Sequence, residues 1–227
     1  MINLKHLVYH QIGTALRDEV VCMRPFGPAI GHATIPAEII ADLNEDVDKG
    51  TDGPDWSEKL VGKVTSERLI PSDVLQPHVA FFSNVALNYI ENYAGRNCEP
   101  LPEDIRPQVE IMAAWYVRQH AGDYNPMHLH TNAELSCIGY LEMPEDMEEE
   151  WKTDEKDHYP THGHVEFMHG SPTFLNRATF MVRPKVGDFF IFPADMYNTG
   201  YPFQSDGERR SFSMNIVVNE AKEKKDG

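Results

Sequence analysis

Apolar residues recur at two different periods along the chain, and the change of period divides it. Between about residues 34 and 95 they recur at three and four, as on helices with one buried face. Ile39, Ile40, Leu43 and Val47 form one such stripe, with Pro36 and Glu38 in its first turn and Gly50 at its end. Val79, Phe82, Ala86, Tyr89 and Tyr93 form a second, opened by Pro71-Ser72-Asp73 and stopped at Gly95. Core packing explains that aromatic row better than a ligand box does. Residues 1–33 are weakly patterned. Runs such as Val20-Val21-Cys22-Met23 and the turn signal Phe26-Gly27-Pro28 leave room for an edge strand or two. Thr51 to Trp56 is loop by composition. Leu60-Val61-Gly62-Lys63-Val64 fits a short strand or an extended crossing. Asn97 to Pro107 holds three prolines and reads as a connector rather than a strand.

From about Val109 the period tightens toward two. Val109 to Arg118, the segment around His128 and His130, Val165 to Met168, Thr179 to Arg183, Asp188 to Phe192 and Ser211 to Val218 are rich in strand formers. Six or so short strands following helices predict a sandwich or barrel with helices against one face. The expected division is an N-terminal helical and extended portion (1–108), a β core (109–218) and a frayed tail (219–227).

The chain has 227 residues, 41% hydrophobic and 25% charged, enough for one large domain with a core. Its net charge of −16 argues against a nucleic-acid partner. No apolar run reaches the roughly 20 residues of a membrane span. Three scattered cysteines, Cys22, Cys98 and Cys137, do not make a disulfide framework, and a cytoplasmic, reducing setting is expected. A homo-oligomer stays open.

Candidate chemistry begins at His128 and His130. Two apart on a strand, they point the same way and present two imidazoles to one ion. The alternative is a pair of surface histidines on an edge strand. Alternation in the last strand puts Arg209, Ser211, Ser213 and Asn215 on one face, and Arg210, Phe212 and Met214 on the other. A polar row led by an inward arginine calls for an anion, and the guanidinium fork suits a carboxylate. A solvent-facing row is the competing reading. His158, His162, His164 and His169 form a second cluster. Glu145 to Asp157, with eight acids against two lysines, precedes it and suggests an exposed hairpin rather than a metal site.

These pieces resemble a known family. Trp115, Gly122-Asp123, Asn125, His128-Leu129-His130, Leu135-Ser136 and Tyr140 look like the first half of the motif of the phage- and marine-bacterium-type, prolyl-hydroxylase-like iron(II)/2-oxoglutarate oxygenases. Glu166-Phe167, Gly187-Asp188, Phe192-Pro193, Pro202, Arg209, Ser211 and Asn215 look like the second half. Leu60 to Val64 matches more weakly. The resemblance implies a double-stranded β-helix, or jelly roll, with helices packed on the major sheet. It implies Fe(II) at His128 and His130, and 2-oxoglutarate as co-substrate near Arg209, Ser211, Tyr140 and Ser136. The substrate, small molecule or protein, is not implied.

One position departs from the pattern. The family carries a histidine six residues beyond the Phe of its Phe-Pro strand, and counting from Phe192 reaches Asn198. No histidine follows His169. An amide oxygen is a weaker donor than imidazole, and Asp195 on the same turn is the alternative third ligand. Two functions follow: an oxygenase hydroxylating a substrate C–H bond, or a non-catalytic jelly-roll module, phage- or virion-associated, that has lost full iron ligation.

Overall fold

The computed structural model describes residues 27–97, 105–154, 158, 160–174 and 176–222. In chain order they form β1 (Gly31–Thr34), α1 (Ala37–Lys49), β2 (Ser66–Leu69), α2 (Ser72–Leu75), α3 (Val79–Asn97), β3 (Ile105–Gln119), β4 (Asn125–His128) and β5 (Leu135–Glu142). Then follow α4 (Met147–Asp154), β6 (Val165–Met168), β7 (Thr179–Val182), β8 (Asp188–Pro193), β9 (Tyr197–Gly200) and β10 (Arg209–Lys222). A six-stranded sheet has the order β1-β8-β5-β10-β3-β2, and a four-stranded sheet the order β4-β9-β6-β7. All pairs are antiparallel. From β3 onward the chain passes back and forth between the sheets, which is the double-stranded β-helix expected above.

Strand alternation sorts the residues of the larger sheet. Phe212, Met214 and Ile216 of β10, Cys137 of β5, and Phe189 and Ile191 of β8 face outward. There they pack on Ile39, Leu43 and Val47 of α1 and on Phe82 and Ala86 of α3. Truncating fully buried Phe212 to alanine should cost about 3–5 kcal/mol. Inward, Tyr140, Phe190 and Phe192 meet Val165, Phe167 and Met196 between the sheets. Helix α1 ends at Gly50, whose φ of 66° lets its N–H cap the carbonyls of Asp46 and Val47.

Several expectations are corrected. Strand β1 is an edge strand of the kind left open for the first residues, and β2, not expected as a strand, is the other edge of the larger sheet. Of the two readings of Leu60 to Val64 the structure takes the extended crossing, with one isolated bridge from Lys63 to Tyr124, and the short strand lies at Ser66–Leu69. The second helical region is α2, a 3₁₀ turn at Gln76–His78 and α3, which runs through Gly95 to Asn97. Strand β3 starts at Ile105, inside the expected connector, because β10 is long enough to pair with it back to Lys222. The acidic segment is not a hairpin but α4, which buries Met147 and Trp151 against Phe203. Residues 1–26, with Cys22, and 98–104, with Cys98, lie outside the described residues, as do 223–227 of the expected tail. Among the described residues no helix is long and apolar enough to cross a membrane.

Candidate metal and anion site

The turn before β4 is built locally. Gly122 takes a left-handed φ of 86°. Oδ2 of Asp123 accepts hydrogen bonds from the Thr65 N–H at 2.8 Å and the His120 N–H at 3.0 Å. That turn delivers the chain into β4, which ends at His128. His130 therefore lies just beyond the strand, not on it; its N–H is held instead by the Ala194 carbonyl at 2.9 Å. The two rings still converge, with centroids 5.2 Å apart. Both line a cavity of about 310 Å³ together with Trp115, Ser213 and Asn215.

The two imidazoles are prepared as donors. His128 Nδ1–H donates to the Pro126 carbonyl at 2.7 Å, which leaves Nε2 as the lone-pair nitrogen. Nε2 of His130 is buried and has no hydrogen-bond partner. Burial, and then the neighbouring His128, push the His130 pKa down to about 4, against a hydrogen bond with Asn215. His128 is also lowered, chiefly by burial. Both are thus neutral at ordinary pH, as metal ligands must be.

Asn198 stands opposite His128 in the β4–β9 register, so the two side chains share a face. It is buried, at 2% exposure. Its Nδ2 lies 3.5 Å from the carbonyls of His128 and Met196, both acceptors, which places the amide nitrogen on that side and leaves Oδ1 free to donate a lone pair. Asp195 is exposed on the β8–β9 turn and does not join the pair. Among the described residues no three of His, Cys, Asp and Glu converge to hold a metal ion.

Arg209 occupies the other end of the same inner row. It points between the sheets, whereas Arg210 points outward to α1. Its exposure is 1%. Nε–H donates to Gln119 Oε1 at 3.0 Å, and the terminal nitrogens donate to the carbonyls of Gly163 at 2.8 Å and Tyr201 at 3.1 Å. All three acceptors are neutral, and no carboxylate pairs with Arg209 among the described residues. Three bonds leave two of the five guanidinium N–H groups free. Nε2 of Gln119 is also buried without an acceptor. The Arg209 guanidinium lies beside Gly200, two residues along β9 from Asn198, a rise of roughly 7 Å.

Between the two ends lie the remaining expected residues. Ser211 stands opposite Tyr140 across β10 and β5, and Asn215 opposite Ser136. Tyr140 is buried, and burial pushes its hydroxyl pKa up to about 12, with Arg209 opposing. Ser136 donates to the Met214 carbonyl at 3.2 Å, so it serves the sheet, and it does not line the cavity that holds the histidine pair. The sequence reading did not point to Gln119 or Glu67, the latter of which reaches the cavity from β2. Two histidines of the second cluster, His162 and His164, are spent on structure. His164 donates from Nδ1 to the His162 carbonyl at 2.8 Å and accepts at Nε2 from Arg183 at 3.2 Å. His162 sits 2.8 Å from Glu150, whose carboxylate also accepts the N–H groups of Gln204 and Ser205.

Residues 113–215, from Ala113 beside the cavity to Asn215 at its wall, match the family described as "Putative 2OG-Fe(II) oxygenase". This core is similar to the 2OG-Fe(II) oxygenase family. The fold is recognisable in solved structures too. A prolyl-4-hydroxylase from Pseudomonas putida is similar at 13% identity, over 82% of this chain and 91% of that one, with a TM-score of 0.51. SnoN, a non-heme alpha-ketoglutarate-dependent epimerase from nogalamycin biosynthesis, is similar at 12% identity, over 84% and 78%, with a TM-score of 0.52. A second SnoN structure, in complex with Fe3+, alpha-ketoglutarate and nogalamycin RO, is similar at 11% identity, over 84% and 79%, with a TM-score of 0.50. At these identities the likeness concerns the fold. No curated protein sequence matches the chain.

Proposed function

We propose that the protein is an iron(II)/2-oxoglutarate-dependent oxygenase with an under-furnished metal site. The observation that carries this is the His130 Nε2, buried without a partner, facing a His128 ring whose own Nδ1 is tied to backbone. A buried orphan nitrogen beside a second fixed imidazole is costly unless an ion takes both. The donor set therefore fits iron: His128 and His130 would hold it, with Asn198 Oδ1 as a weak third donor. The anion end fits as well, since Arg209 meets only neutral acceptors directly and Gln119 has an unused N–H. These would hold the far carboxylate of 2-oxoglutarate. When bound, iron and 2-oxoglutarate supply the oxygen activation by which a substrate C–H bond is oxidised as 2-oxoglutarate becomes succinate and CO2.

The chain's own residues bind and shield. Trp115 and Phe192 pack around His130, with ring centroids at 6.0 and 6.2 Å, and keep water from its buried side. The solved relatives include a hydroxylase and an epimerase, so the fold does not dictate the fate of the C–H bond. One observation favours a non-catalytic binding module instead: two imidazoles and an amide bring no negative charge to the ion. A cytoplasmic or virion setting, a substrate rather than a nucleic acid or membrane as partner, and self-association open to sizing measurements complete the proposal.

The test is anaerobic titration of iron(II), followed by an assay for succinate. Saturable binding near one ion per chain with 2-oxoglutarate turnover supports the oxygenase. Binding of 2-oxoglutarate without any turnover supports the module, and no metal binding at all removes both roles for the histidine pair.

A further inference from the structure

Glu67 enters the cavity from β2, outside residues 113–215 that carry the family match. Its position follows from pairing: Glu67 stands opposite Val117 on β3, on the inward face that also carries Trp115 and Gln119. It is 2% exposed and lines the cavity with the histidine pair. No hydrogen bond or ion pair reaches its carboxylate among the described residues. The nearest basic candidates are occupied. Lys59 also lines the cavity, but its Nζ sits over the Trp56 ring, 3.7 Å from the centroid. Arg68, the next residue, pairs with Asp52 at 3.0 Å.

Gly62 shows how tightly the carboxylate is placed. A Cβ there would lie 2.5 Å from Glu67 Oε1 and 2.8 Å from Asn125 Oδ1. Both oxygens crowd Gly62 at the cavity wall, and Asn125 Oδ1 is itself buried without a donor. Acceptors with no donor between them call for a donor from outside. Burial, with Asp55 adding to it, raises the Glu67 pKa to about 7, so a positive neighbour would be strongly favoured. Trp56 and Trp115 supply aromatic walls, and the chain's net charge of −16 draws cations toward it.

We propose that Glu67, with Asn125, binds the cationic end of the substrate, an alkylammonium or guanidinium group, in the cavity beside the histidine pair. It rests on the oxygenase reading for the word substrate, but the binding itself does not require metal. The group could belong to a free amine or to a lysine or arginine side chain in a peptide.

Calorimetry on the full chain separates these cases. The probes are n-pentylamine, n-pentanol, and two capped tripeptides with central lysine or norleucine, each titrated with and without Mn(II) and 2-oxoglutarate. The charged probes should bind, and their neutral partners should bind about tenfold to a hundredfold more weakly. The stronger of the two charged probes identifies the source. Glu67→Gln, which keeps the shape, should remove that preference while leaving Mn(II) affinity unchanged. The wild-type comparison needs no variant, so a misfolded Glu67→Gln leaves it intact. Equal binding of charged and neutral probes, an unaltered preference in Glu67→Gln, or no binding of any probe at millimolar concentration overturns the proposal. So does a loss of Mn(II) affinity in Glu67→Gln, which would make Glu67 a metal ligand. Failure of the oxygenase reading would appear separately, as absent Mn(II) and 2-oxoglutarate binding.

Discussion

Arg209 and Arg210 are neighbours in β10, both almost wholly buried, and their surroundings are opposite. Arg210, on the helix side, meets Glu208 at 3.0 Å, Asp48 at 3.0 Å and Glu142 at 3.4 Å. Glu208 is gripped at the same time by Arg118 at 2.8 and 2.7 Å. Arg209, on the inner side, meets two carbonyls and an amide. Burial tends to lower both guanidinium pKa values; Glu208, Glu142 and Asp48 together more than reverse this for Arg210, whereas Tyr140, Asp123 and Glu150 do not for Arg209. The outer face closes its charges on itself, as a structural network must. The inner face leaves a cation, an imidazole nitrogen and a carboxylate without counterparts. Open valences of that kind mark the side on which ligands belong.

The contrast can be broken most sharply at the inner face. His130→Ala should weaken iron(II) or Mn(II) binding by more than the roughly 100-fold typical of residues behind a ligand, measured by anaerobic calorimetry. Arg209→Lys should weaken 2-oxoglutarate binding by about 10- to 100-fold, because an ammonium cannot reproduce the fork. Arg210→Lys should leave 2-oxoglutarate binding within about threefold, since its partners are the chain's own acids. Equal losses in the two lysine variants would erase the distinction between the faces.

At the outer face the readout is stability. Burial raises the Glu208 pKa, but hydrogen bonds from Arg118 and Arg210 outweigh it and hold the group at about 2. Because the folded pKa lies below the unfolded one, its stabilisation is present above about pH 4.5 and is lost as pH falls through 2. Glu208→Gln should therefore cost about 2–3 kcal/mol at pH 7, and chemical denaturation at descending pH should show the deficit shrinking. A deficit that is constant from pH 7 to pH 3 would mean Glu208 is not held by charge.

The smallest effect concerns the second histidine cluster. His164→Gln should leave metal affinity within about twofold and cost about 1 kcal/mol, through the lost bonds to Arg183 and the His162 carbonyl.

Parity in β10 separated Arg209, Ser211 and Ser213 from Arg210, Phe212 and Met214, but could not say which set turns inward, because both faces are buried, one between the sheets and one under the helices. The jelly roll was readable from the run of short strands and the motif. The strand boundary at His128 was not, since it depends on the Ala194 carbonyl captured by His130 across the mouth. Nor was α4, whose apolar stripe is reduced to Met147 and Trp151 among acids. Glu67 carries no local signal at all. It lies in an ordinary Ser-Glu-Arg-Leu segment and becomes part of the cavity only through the long-range pairing of β2 with β3.

The central claim is that His128, His130 and Arg209 form one site for iron(II) and 2-oxoglutarate. Its most direct test is titration of 2-oxoglutarate into the anaerobic iron(II) protein while following visible charge-transfer absorption. A band that saturates in the wild type, disappears in His130→Ala, needs far more 2-oxoglutarate in Arg209→Lys and tightens in Asn198→His is the expected result. No band in the wild type or in Asn198→His, at iron and 2-oxoglutarate concentrations that saturate other probes, would contradict it.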